Sequence, residues 1–166
     1  MARRNSASSV ALGGVLAALA VVILSMGTLI PVATFVCPML CILLLKVVLI
    51  RCGSRIGWAW YGAVAILGAL LAPDKEAAAV FVFLGFYPII KPKMEILPAK
   101  WLWKVLYFNA AILVMYWLLM HLFGMTQIVE EFAELGTVMT IVTLLLGNVT
   151  FFLLDLLLGK KLRRRK

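Results

Sequence analysis

The chain has 166 residues, 65% of them hydrophobic and only 14% charged, with a net charge of +9. A soluble domain is roughly half apolar and a quarter charged, so in water this chain would expose very large apolar patches. The composition excludes a soluble protein, specifies an integral membrane one, and leaves no room for a separate soluble domain.

Six apolar stretches follow one another, over residues 10–30, 33–50, 56–72, 77–90, 101–123 and 136–158. The first carries no charge and is long enough for a helix to cross a bilayer, which takes ~20 residues. It exceeds the apolar core of a cleaved signal peptide and is read as a retained helix. Ala7, Ala11, Gly14 and Ala18 fall on one face of it, and Gly13 and Ala17 widen that face. Small residues four apart let a second helix approach closely, and in lipid such packing drives association. The face can serve other helices of this chain or a partner protein, and both readings stay open at this point.

The second stretch contains Pro38, which removes one backbone hydrogen bond and is expected to kink the helix. Cys37, Cys41 and Cys52 lie in or beside it. Two soft ligands four apart make a poor metal site, so the cysteines are read as small packing residues and no metal is assigned. The third stretch is rich in Gly and Ala. The fourth is short and breaks near Gly85 and Pro88. Beyond it, Pro88 and Pro92 are expected to prevent a regular helix, leaving a rigid basic elbow with Lys91 and Lys93.

Sidedness follows from the charges. With the N-terminus in the cytoplasm, Arg3, Arg4, Lys46, Arg51, Arg55, Lys91, Lys93, Lys100, Lys104 and the terminal cluster Lys160, Lys161, Arg163, Arg164, Arg165 and Lys166 all lie inside. Of the sixteen Lys and Arg, only Lys75 falls outside. The expected fold is an all-α integral membrane protein: a compact bundle of six transmembrane helices in one domain, with both termini cytoplasmic. The positive charge therefore serves topology, and no nucleic acid is implied. Trp58, Trp60, Trp101 and Trp103 sit at inner ends of spans and read as interfacial anchors. Lys46, about one turn inside, can snorkel to the interface. The outer connection over residues 124–135 holds Glu130, Glu131 and Glu134 and can form a short interfacial helix over 128–135.

No enzyme motif is present. There is no phosphate-binding Gly-rich loop, a single histidine, and no nucleophile elbow. The protein is read as a non-enzyme with no cofactor. What remains is the polar groups inside spans, which are costly in lipid and tend to mark function. On the fifth span Asn109 and Tyr116 share a face, with His121 near the outer end. On the sixth, Thr137, Thr140, Asn148 and Asp155 fall near one stripe, with Thr143 and Thr150 beside it. Asn109, Tyr116, His121, Thr140 and Asn148 are the candidate solute-binding set. The competing account is plain: a Thr here commonly bonds its own backbone, and an Asn can simply bond across helices. Asp155, near the cytoplasmic end and about a turn from Lys160 and Lys161, is read as an ion-pairing or docking residue rather than a ligand.

Taken together, the six spans, the inward termini and the small face Ala7-x-x-x-Ala11 and Gly14-x-x-x-Ala18 resemble the substrate-binding S components of energy-coupling factor (ECF) transporters. The resemblance covers the chain in architecture and helix one in motif. It implies that Ala7, Ala11, Gly14 and Ala18 dock on a transmembrane coupling subunit, that separate ATPase subunits supply energy, and that a vitamin-like solute enters a pocket open to the outside. It implies location in a bacterial plasma membrane. The alternative is a membrane scaffold or regulatory subunit without a small-molecule ligand.

Overall fold

The computed structural model describes the backbone over residues 2–27, 33–122 and 126–159, and side chains over 7–27, 33–121, 141–142 and 144–159. The protein is all-helical, with no strand among these residues. The helices are α1 (Ala2–Ser25), α2 (Ala33–Cys52), α3 (Ser54–Leu71), α4 (Lys75–Leu84), α5 (Tyr87–Met94), α6 (Lys100–Leu122) and α7 (Thr126–Gly159). Five segments are long and apolar enough to cross a membrane: Ala7–Ser25, Ala33–Cys52, Ser54–Leu71, Lys75–Met94 and Lys100–His121. The described part of α7 adds the apolar stretch Leu144–Gly159. The protein is a multi-pass membrane protein. Where the sequence suggests one domain, packing gathers the helices into two compact units, Met1–Ile96 and Leu97–Lys160.

In the first unit α1 packs against α2 and α3, and α2 against α3, α4 and α5. Small residues allow the close approach. A Cβ on Gly57 of α3 would collide with Leu49 of α2, and one on Gly68 would lie 2.9 Å from Leu24 of α1. The cysteines act as packing residues that also donate weak hydrogen bonds. Cys41 Sγ donates to the Ala20 carbonyl at 3.4 Å, and Cys52 Sγ to that of Ser9 at 3.3 Å. Gly53 alone joins α2 to α3, at φ +89° and ψ 172°, a conformation essentially reserved for glycine.

The α3–α4 corner is tied by charge. Asp74 caps α4 by accepting from the Ala77 N–H at 2.9 Å, and Thr34 Oγ1 of α2 donates to the same carboxylate at 2.8 Å. Lys75 Nζ donates to the carbonyls of Ala69 and Ala72 at the C-terminus of α3, where a cation is favoured. Gly27 approaches so closely that its Cβ would lie 3.0 Å from Asp74 Oδ2.

Several sequence expectations change. Helix α1 starts at Ala2, so the basic leader is its first two turns. Helix α2 runs unbroken through Pro38, which is buried in its second turn. The elbow is helical: Pro88 sits in the first turn of α5, where a missing N–H costs nothing, and the chain breaks instead at Gly85–Phe86. Trp60 is no interfacial anchor. It is 4% exposed and meets Phe81 edge-on, whereas Trp58, Trp101 and Trp103 are exposed as anchors should be. No separate short helix lies over residues 128–135, because α7 runs continuously from Thr126 through Gly136. Its 34 residues rise about 51 Å, more than the ~30 Å hydrocarbon core, so it must tilt or project into water. The side chains of Ile128, Glu130, Glu131, Phe132, Glu134 and Leu135 lie outside the described residues.

Candidate functional site

The second unit is an antiparallel hairpin of α6 and α7, held by a ladder of rungs. At the end where α6 begins, Trp101 meets Phe152 at 5.1 Å between ring centroids. Next, Lys104 Nζ donates to Asp155 Oδ2 at 2.7 Å, with both side chains nearly sealed from solvent, at 6% and 5% exposure. The same ammonium lies 4.9 Å from the Trp101 ring. One turn further, Phe108 stacks on Phe151 at 4.9 Å, and Gly147 leaves room for the Phe108 ring. The spacing Lys104, Phe108 on α6 and Phe151, Asp155 on α7 is four residues on each helix, one turn, so these side chains share one seam.

The next rung joins two of the candidate residues. Asn109 Nδ2 donates to Asn148 Oδ1 at 3.1 Å, and Asn148 Nδ2 donates back to Asn109 Oδ1 at 3.4 Å. Each amide also donates to the carbonyl four residues earlier, Asn109 to Val105 at 2.8 Å and Asn148 to Leu144 at 2.9 Å. Both protons of each amide nitrogen are thereby engaged. Each amide oxygen accepts one bond and keeps a second lone pair. Chemically, the pair can offer two carbonyl acceptors to a solute that brings hydrogen-bond donors. It offers no spare donor.

Tyr116 and His121 do not join this rung. Tyr116 is half-buried and about 10 Å further along α6 by helical rise. His121 is exposed. Its Nδ1 lies 3.0 Å from the Trp117 carbonyl and its ring stacks on Trp117 at 4.9 Å, so it is occupied by its own helix. The side chains of Thr137, Thr140 and Thr143 lie outside the described residues. Thr150 donates to the Leu146 carbonyl at 2.7 Å, as a threonine in a membrane helix commonly does. Asp155 is ion-paired, but with Lys104 across the helices. Lys160 and Lys161, the neighbours expected for it from sequence, lie outside the described residues.

In the first unit the two sides of α1 divide cleanly. Gly13, Ala20 and Leu24 are buried, with the Gly13 Cβ position 3.5 Å from Ile56, so Gly13 belongs to the inward side. Ala7, Ala11, Gly14 and Ala18 are exposed, and a Cβ on Gly14 would meet open space. Sequence reasoning missed one polar atom entirely. The indole N–H of Trp60 is buried and lacks an acceptor among the described residues. No family model, curated protein or solved structure matches the chain.

Proposed function

We propose that the protein is the membrane-embedded solute-binding subunit of an ATP-driven importer in a bacterial plasma membrane, similar to an ECF S component, with α1 as its docking helix. The observation that supports this reading best is the outward placement of Ala7, Ala11, Gly14 and Ala18. A helix stabilised only by its own chain would gain by turning its small face inward, because that face permits the closest packing in lipid. Here a separate inward face does that work. On this reading the inner ends of all spans, both termini included, are cytoplasmic. The solute is a small vitamin-like molecule taken from the outer side between α6 and α7, with Asn109 and Asn148 as acceptors. Tyr116, His121 and Thr140 complete the set toward the outer end.

The test is a bulky substitution where the fold has space to spare. Gly14→Leu and Ala18→Leu are expected to abolish co-purification with a transmembrane coupling subunit and its ATPases. Gly14→Leu is expected not to lower the melting temperature, because Gly14 has open space around it and a helical glycine is itself unfavourable. Unchanged co-purification would sink the docking assignment. A second reading, a non-catalytic scaffold or regulatory subunit, is favoured by one observation. Asn109 and Asn148 satisfy each other's donors without a ligand.

A further inference from the structure

The apolar segment Lys75–Met94 is interrupted near its middle, between α4 and α5, and the interruption separates backbone acceptors from their helical donors. Gly85 N–H still donates to the Phe81 carbonyl at 2.7 Å and closes the last turn of α4. Pro88 then brings no N–H to the Leu84 carbonyl. The N–H of Ile89 goes to the Phe86 carbonyl at 3.0 Å rather than back to that of Gly85. Leu84 and Gly85 are both buried. In a membrane, carbonyls released in this way are satisfied by side chains of neighbouring helices or by ordered water.

Helix α3 brings donors to this break. Tyr61 donates its hydroxyl to the Val82 carbonyl of α4, and its ring lies 3.1 Å from the Cβ position of Gly85. The Phe81 ring lies equally close to that position. Trp60, the neighbour of Tyr61, meets the same Phe81 ring edge-on, with centroids 6.3 Å apart. Its indole N–H is buried and has no acceptor among the described residues. A buried donor in want of an acceptor and carbonyls in want of donors thus flank one ring. Either is costly alone, and a buried tryptophan ordinarily finds a partner for its N–H.

We propose that the α4–α5 break is a buried hydration site, in which an ordered water, or a short chain of them, links the Trp60 Nε1–H to the carbonyls of Leu84 and Gly85. Water both accepts and donates, and a buried water makes about three hydrogen bonds to groups otherwise left unpaired. It accepts from the indole and donates to the carbonyls, so the break and the buried tryptophan satisfy each other. The site is independent of the docking role of α1 and of the amide pair between α6 and α7. The rival is an indole N–H directed at the face of the Phe81 ring.

The experiment is NMR of the full chain in detergent micelles with its tryptophans labelled with nitrogen-15, and water itself is the probe. The Trp60 indole signal is assigned by its disappearance in Trp60→Phe. If that variant does not fold, the signal is assigned by elimination from Phe replacements of Trp58, Trp101, Trp103 and Trp117. In the wild type the Trp60 indole proton is expected downfield, as for a hydrogen-bonded N–H, with a direct cross-peak to a bound water. Pro88→Ala restores an N–H for the Leu84 carbonyl and is expected to weaken that cross-peak. An upfield indole proton without a water cross-peak sets the N–H against the Phe81 ring and overturns the site. A water cross-peak that Pro88→Ala leaves unchanged also overturns it, because the water would then not serve the break.

Discussion

The two units hold helices together by different means. In Met1–Ile96, α3 meets α1 and α2 at glycines. Gly57 sits on Leu49, Gly68 on Leu24, and thiols reach helix carbonyls. In Leu97–Lys160, two helices meet through large and polar groups: a buried ion pair, a stacked Phe pair and an amide pair. Lipid offers no hydrophobic drive between helices, so association needs either close packing or polar contacts. The first unit combines close packing at glycines with polar ties such as Thr34 to Asp74, and the hairpin relies on its polar and aromatic rungs. The difference also bears on function. A hairpin held by polar rungs has specific groups that a solute can engage, whereas the first unit leaves the small residues on the exposed side of α1 open to a partner.

The contrast breaks most sharply at Lys104 and Asp155. Removing one partner leaves an uncompensated charge in a nearly sealed place. Asp155→Ala or Lys104→Met is expected to cost about 3–5 kcal/mol. The double replacement Lys104→Met/Asp155→Leu should recover most of that loss, because apolar pairs of similar size often replace buried ion pairs without penalty. Thermal or denaturant unfolding of the four proteins tests it. A double variant as unstable as the worse single one would show that the pair does more than hold the two helices together.

In the first unit the corresponding weak points are glycines. A Cβ at Gly85 would run into the Phe81 carbonyl oxygen, which belongs to the backbone and cannot swing aside, and would lie 3.1 Å from the Phe81 and Tyr61 rings. Gly85→Ala is expected to destabilise by about 1–3 kcal/mol. Gly14→Ala, inside α1 with open space around it, should not destabilise and by helix propensity should stabilise by up to about 1 kcal/mol. Equal effects at the two positions would show that packing does not separate the inward and outward sides of this unit.

Hydropathy alone located the five described segments that are long and apolar enough to cross a membrane, because the cost of burying polar backbone in lipid leaves helices as the simple solution. It placed ends poorly where the helix continues through polar sequence. Arg3, Arg4 and Asn5 carry no apolar signal yet lie in α1, and α7 runs through Glu130, Glu131 and Glu134. Gly136 did not end it, since a helical glycine costs only about 1 kcal/mol. The inward turn of Trp60 was not legible either. A tryptophan near a span end looks the same whether it meets lipid or Phe81. The ion pair was legible in part. Asp155 is the one acid in its apolar stretch and Lys104 lies one turn inside the neighbouring span, but their pairing across 51 residues needs the register of the hairpin. The small face of α1 was visible as a pattern, while the assignment of Gly13 to the other side required the position of Ile56.

The smallest expected effect separates the two readings of the hairpin. An amide bond across membrane helices contributes roughly 0.6 kcal/mol, so Asn109→Leu or Asn148→Leu should shift stability only slightly. If the pair is merely a rung, nothing else changes, and a Gln at either position is no better than a Leu. If its free carbonyl lone pairs receive a solute, either Leu variant loses uptake in intact cells while melting almost as wild type does. Asn148→Asp, which keeps an acceptor but loses the donors to Asn109 and Leu144, then retains part of that uptake. Uptake that is equal in wild type and both Leu variants would remove the amide pair from the solute site and leave the scaffold reading as the better account of the hairpin.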